Sequence, residues 1–318
     1  MLSLCSRCYS IVTSKFVKNL GIWLEKECHI CGNQEKILID KSESVFNMTT
    51  SVPYGIYDGI LIDITGQCNL SCKYCYHDRL GDHVPILDIV DYAEKYKRLA
   101  PFILSGGEPT LHPDIVEIIE RLGEIAPVMT LTNGTNAIKI IEEIGTKISC
   151  YGNVLPIALS MHEENGGIDF EVLDYVQKKG LVLISTLSVV GSKDQVCKEL
   201  EALQPYRDNI ATIRIKAATN TGCTLNVDDK LTMSDLVEGA VKFTDDIVPV
   251  LDMKGTHHYF NVLVNGGHVA FVVWADVPSI IFDILRCGPY YECKDGNIYN
   301  LAETLVRNSI INQKAREI

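Results

Sequence analysis

The chain has 318 residues, 47% of them hydrophobic and 22% charged, the proportions of an ordinary globular protein long enough to bury a full core. Forty-one acidic against 29 basic residues give a formal charge of −12 at pH 7, which argues against affinity for phosphate backbones and so against a nucleic-acid partner. No run of 18 or more apolar residues occurs, so no membrane span is expected, and the first residues lack the charged-then-apolar layout of a secretory leader. The expected location is the cytoplasm.

Residues 1–40 carry two pairs, Cys5-x2-Cys8 and Cys28-x2-Cys31, the second followed by Gly32. Two such pairs are the pattern of one tetrahedral four-thiolate site, each pair on a tight knuckle. The stretch between, Ile11 to Trp23, alternates enough for a small hairpin. So short a piece has too little apolar core to hold itself, so a metal would serve as its staple: zinc first, a single rubredoxin-like iron second. Seven of the 12 cysteines fall in metal-ligand spacings, which points away from a disulfide framework. Residues 41–55 are polar and weakly patterned and read as a linker.

An apolar strand-like run at 59–64 leads into Cys68-Asn69-Leu70-Ser71-Cys72-Lys73-Tyr74-Cys75. Three thiolates on one loop are one short of a closed zinc site. They suit an iron–sulfur cube whose fourth iron stays open to a ligand. This C-x3-C-x2-C array, with Tyr74 before its third cysteine, resembles the cluster motif of the radical S-adenosylmethionine (SAM) family. Phe102 to Thr110, with Gly106-Gly107-Glu108-Pro109 inside it, resembles that family's GGEP segment after its second strand. The resemblance covers roughly residues 56–220.

From residue 56 on, apolar runs alternate with helix-period segments. Strands are expected at 59–64, 102–105, 128–132, 155–160, 181–190 and 210–217. Helices are expected at 87–96, 114–125, 136–144, 170–179, 194–203 and 233–244. The pattern alone fits a partial barrel or a doubly wound open sheet; the resemblance implies an α/β fold with a partial (β/α)6 TIM-like barrel over residues 56–247. Either architecture puts active groups at the carboxyl ends of the strands. The cysteine loop, Gly106 to Pro109, Thr132-Asn133-Gly134 and Ser160-Met161-His162 all fall there.

The resemblance further implies that Cys68, Cys72 and Cys75 hold a [4Fe–4S] cluster. Its open iron would chelate SAM, and one electron would release methionine and a 5′-deoxyadenosyl radical that takes hydrogen from a substrate. Gly106 and Gly107 would let the backbone approach the cofactor, Pro109 would stiffen the turn, and Glu108 would neutralise the SAM ammonium or pin the loop. Tyr74 would pack over the cluster or near the adenine. Asn133 and Ser160 would contact the cofactor or cap strand ends. Arg214, inside an otherwise apolar strand, would pair with the SAM carboxylate or an anionic substrate, or face outward. His162, Glu163 and Glu164 read as a solvated loop with an acid–base role as the alternative.

Residues 248–318 form the expected C-terminal cap. Tyr259 to Val264, Asn265-Gly266-Gly267 and His268 to Trp274 read as a β-hairpin that would close the open side of the barrel, with a surface helix from Ala302. His257, His258, Trp274 and Asp276 are pocket candidates. Cys287-x5-Cys293 is two residues where auxiliary clusters of relatives use more, and Cys150, Cys197 and Cys223 read as small buried apolar residues. The reading is therefore a radical SAM enzyme served by a low-potential electron donor. Its substrate is a small metabolite or a peptide that the sequence does not name, and oligomeric state is not encoded legibly either. The rival is a non-catalytic module in which the motif cysteines all hold structural zinc.

Overall fold

The computed structural model describes residues 2–5, 7–8, 11–43, 45, 60–75, 77, 81–97, 101–145, 152–162, 166–218, 231–249, 258–273, 291–294 and 297–300. The chain opens with four antiparallel strands in sequence order: β1 (Leu2–Leu4), β2 (Ile11–Lys18), β3 (Ile22–Glu27) and β4 (Gln34–Asp40). The expected hairpin is present, and its turn uses positive φ at Leu20 and Gly21. Its second strand runs past Trp23 to Glu27. Alternation along β3 buries Ile22 and Leu24 against Ile39. Where the buried row reaches Lys26, Glu35 on the next strand neutralises it at 3.0 Å. That is a small core for a free-standing sheet.

The main body is built on a nine-stranded sheet. Its parallel part runs β5 (Ile60–Thr65), β6 (Phe102–Gly106), β7 (Val128–Thr132), β8 (Val154–Met161), β9 (Val182–Val190) and β10 (Ile213–Ala217), each paired with the next in sequence. Between and after them come α1 (Ile86–Tyr96), α2 (Ile115–Ile125), α3 (Ala137–Ile144), α4 (Ile168–Lys178), α5 (Lys193–Leu203) and α6 (Met233–Phe243). One face of each strand (Ile62, Ile64, Phe102, Leu104, Leu159, Ile213, Ile215) joins one core with helix residues such as Ile89, Ile118, Leu122, Ile141, Val172, Val196 and Leu236. The opposite face carries Leu131, Ser160, Leu187, Val189, Arg214 and Lys216, all only partly covered. Unreversed strand order with helices packed on one face is the singly wound, barrel-like solution; a doubly wound sheet reverses order and is covered on both faces.

Two expectations need correcting. The C-terminal hairpin, β12 (His258–Val264) and β13 (Gly267–Val273), does turn at Asn265 and Gly266, both at positive φ. It does not close the sheet onto β5. Instead β13 pairs in parallel with β10, and β12 then carries β11 (Ile247–Pro249), so the hairpin prolongs the sheet beyond its sixth parallel strand. Cys197 is not a buried apolar residue: it is half-exposed on α5, 3.6 Å from Glu201. A separate two-stranded ladder, β14 (Tyr291–Lys294) and β15 (Asn297–Asn300), completes the described residues. Cys150, Glu163, Glu164, Cys223, His257, Trp274, Asp276, Cys287 and the expected terminal helix lie outside them.

Candidate active site

Parallel strands present their carboxyl ends at one edge, and the loops gathered there hold the expected groups. Cys68, Cys72 and Cys75, all half-buried, follow β5 directly. The Leu70 N–H points at Cys68 Sγ from 3.5 Å, the type of contact that supports a thiolate ligand. Two anchors fix the loop. Upstream, Asn69 donates to Thr135 Oγ1 at 2.9 Å and accepts from Asn133 Nδ2 at 2.9 Å. Downstream, His77 Nε2 meets Asp63 Oδ2 at 2.8 Å, both groups buried, and His77 O lies 3.6 Å from Cys75 Sγ. Three half-buried sulfurs on a doubly anchored loop fit a cluster held by three protein ligands.

Gly106 and Gly107 answer to the chain's own backbone. A Cβ on Gly106 would stand 2.1 Å from Thr65 O, and one on Gly107 would stand 2.2 Å from Gln67 O. The same approach lets Gly107 N–H donate to Thr65 O at 2.8 Å and Glu108 N–H to Gln67 O at 2.7 Å. The segment therefore holds the run into Cys68. Of the two roles expected for Glu108, the geometry shows the pin. Its buried carboxylate accepts from Thr110 N–H, Thr110 Oγ1, Thr132 Oγ1 and Asn133 N–H at 2.6–3.0 Å, tying the ends of β6 and β7 together. Burial pushes its carboxyl upward from the ordinary range against these four donors. Pro109 opens the following 3₁₀ turn. Asn133 is the strand-end cap: its Oδ1 accepts from Thr135 N–H and Oγ1 while its amide braces Asn69.

Across the mouth, Tyr74 spans from the cysteine loop to the end of β9, where its hydroxyl lies so close to Gly191 that a Cβ there would sit 2.5 Å away. Ser160, Leu187 and Arg214 are register partners on β8, β9 and β10, so they share the partly covered face. His162 is half-buried just beyond β8, its N–H 3.3 Å from Asp169. The residues that sequence reasoning missed are Asn69, Asp63, His77 and Gly191.

The other four cysteines converge. Their sulfurs lie within 4.8 Å of one another, with Cys5–Cys31 at 3.6 Å and Cys8–Cys28 at 3.5 Å. A metal–sulfur bond of about 2.3 Å in a tetrahedron places sulfurs about 3.8 Å apart, so the donor set fits one such ion. Arg7 N–H approaches Cys5 Sγ at 3.4 Å, and Gly32, at φ +71°, closes the second knuckle through Gly32 N–H to Cys28 O at 2.9 Å. The Asn33 backbone pulls the Cys31 thiol down, but burial and the three neighbouring sulfurs prevail and raise it to about 12. Crowded thiols of this kind are what a cation relieves.

The start of the expected linker is firmly engaged. Asp40 accepts from Ser234 N–H at 3.1 Å and from the Ser234 hydroxyl, while Lys41 reaches Asp235 at 2.8 Å. Asp235 also pairs with Lys193 at 2.9 Å and closes a capping box with Thr232. Ser234 and Lys193 begin α6 and α5, the helices that follow β10 and β9. The four-cysteine sheet is thus tied to the same edge of the parallel sheet as the cluster loop.

Residues 62–152 match the family model described as Radical SAM superfamily. A probable GTP 3′,8-cyclase of Methanothermobacter thermautotrophicus is 40% identical over 82 residues, 23% of this chain and 27% of its own length. The GTP 3′,8-cyclase of Listeria monocytogenes is 24% identical over 240 residues, 69% of this chain and 72% of its own length. Among solved structures, Streptococcus suis SuiB bound to S-adenosylmethionine aligns at TM-score 0.48 and 15% identity, covering 60% of this chain and 48% of that one. The chain thus spans between about a quarter and three-quarters of these relatives' lengths.

Proposed function

We propose that this chain, which carries a radical SAM domain, is an enzyme that cleaves S-adenosylmethionine reductively and modifies a substrate with the radical released. One observation carries the reading: three thiols at the carboxyl end of the first parallel strand, on a loop that Gly106 to Glu108 and Asn133 hold from the two strands beside it. When bound there, the cluster supplies an electron to the sulfonium of SAM through its open iron. The chain's own residues do the rest. Cys68, Cys72 and Cys75 ligate the cluster. Gly106 to Pro109 offer strand-end carbonyls to the cofactor's ammonium, and Glu108 keeps that segment in place. Tyr74 covers the cofactor side of the mouth, Asn133 holds the loop, and Ser160 meets the cofactor from β8.

The first four cysteines hold zinc in this reading, as the staple of the small sheet. The relatives named GTP 3′,8-cyclase favour a small molecule as substrate over a peptide. A low-potential donor supplies the electron. A cytoplasmic setting is part of this reading; no described helix is long and apolar enough to cross a membrane.

The test is cleavage itself. Anaerobically reconstituted protein should release 5′-deoxyadenosine from SAM under dithionite, and Cys72→Ala should lower this at least 100-fold. Release unaffected by that substitution, or a colourless zinc-only protein, would favour the non-catalytic rival.

A further inference from the structure

The two arms of the cysteine loop are anchored by unlike chemistry. On the first arm, Asn69 is held by neutral groups, the Thr135 hydroxyl and the Asn133 amide. The second arm ends at His77, whose ring meets the Asp63 carboxylate at 2.8 Å, both side chains being at most 3% exposed. Asp63 alternates on β5 with the core residues Ile62 and Ile64, so it stands on the opposite face of the sheet, where its register partner on β6 is Ser105. Cys75 Sγ in turn lies 3.6 Å from His77 O. A single residue therefore separates a buried carboxylate from a ligand sulfur.

Neutral groups hold the first arm, so anchoring by itself does not require a charge. A carboxylate is costly to desolvate, and an apolar or amide contact would fasten the second arm at smaller cost. Imidazole is the stronger base of the two partners, so the hydrogen between them belongs to the ring and Asp63 accepts it as a carboxylate. What the charge adds is a field. An iron–sulfur cluster becomes more negative when it takes an electron, and a fixed negative charge in a weakly screened setting opposes that step. The consequence is a lower potential and a stronger reductant, which is what reductive cleavage of a sulfonium demands.

We propose that Asp63, acting through His77, is a positioning residue that seats Cys75 and lowers the reduction potential of the cluster. This rests on Cys68, Cys72 and Cys75 being the cluster ligands, and it deepens that reading: the strand leading into the loop also sets the loop's reducing power. The direction holds whatever else the carboxylate touches, because Asp63→Asn takes one negative charge from that place. The potential is read without substrate and without turnover, so failure here and failure of the radical reading are separable.

Full-length, cluster-loaded protein should be titrated electrochemically without SAM and followed by electron paramagnetic resonance. At the wild-type midpoint potential, Asp63→Asn should hold at least ten times more reduced than oxidised cluster, an upward shift of about 59 mV for one electron. Asn69→Ala, which loosens the neutral anchor, should leave that ratio within twofold of the wild type. Asp63→Ser, which keeps an oxygen acceptor without the charge, decides should Asp63→Asn not take up iron. An unshifted or lowered midpoint overturns the proposal. So does an equal shift in Asn69→Ala, which would assign the effect to a loosened loop, and so does failure of both Asp63 variants to take up iron, which would make the pair an anchor only. A wild-type spectrum that ignores added SAM would sink the radical reading and leave the comparison of midpoints standing.

Discussion

Glu108 shows how much a single side chain can organise. Its two oxygens take four donors from two strand ends, and two of these are backbone N–H groups that cannot turn away. Glu108→Gln replaces one acceptor with an amide that meets a donor, whichever way it flips. The expected cost is about 1–3 kcal/mol of stability, read as a lower denaturation midpoint in urea with unchanged slope. An unchanged midpoint would show that the pin is dispensable. The GGEP segment was visible in the sequence, and pinning the loop was one of the two roles open to Glu108. What the sequence did not reveal is that the two glycines also make way for Thr65 O and Gln67 O. A motif reports that close backbone approach is required; only coordinates say what approaches.

At the level of elements, the small N-terminal sheet depends on two attachments. One is the four-thiolate cluster of Cys5, Cys8, Cys28 and Cys31. Chelation, or Cys5→Ala, should melt this sheet before the parallel body, seen as loss of amide-exchange protection confined to residues 2–40; uniform loss would contradict the separation. The other is the lock on α6. Burial pushes the Asp235 carboxyl up, but Lys41, Thr232 and Lys193 outweigh it and hold it at about 2, against an ordinary 3.8. A depressed carboxyl stabilises fully above the unfolded value and loses that contribution as pH falls through the folded one. Wild-type stability should therefore drop by about 2 kcal/mol relative to Asp235→Asn between pH 4 and pH 2. Parallel acid profiles would contradict the lock. No sequence pattern announced it, because residues 194 positions apart make the contact.

For the molecule as a whole, what was legible follows from periodicity. The six strands and six helices of the main body stand within about three residues of their expected ends because each buries one face, and that spacing is written locally. Strand order and the place of the last hairpin were not written locally. Asn265-Gly266 announced a turn, yet only the pairing of β13 with β10 decides that the hairpin extends the sheet. Tyr74 was noticed beside its cysteine, while its partner Gly191 lies far along the chain. The site was thus readable where its residues sit in one loop and unreadable where distant loops meet.

The central claim is that the cluster keeps one iron for the cofactor. Electron paramagnetic resonance of the anaerobically reduced, four-iron protein, recorded with and without SAM, tests it most directly. The account predicts a spectrum that changes when SAM is added and a Cys72→Ala protein that shows neither cluster nor change. A reduced cluster whose spectrum ignores SAM would mean that a fourth side chain occupies the open iron, and would contradict the account.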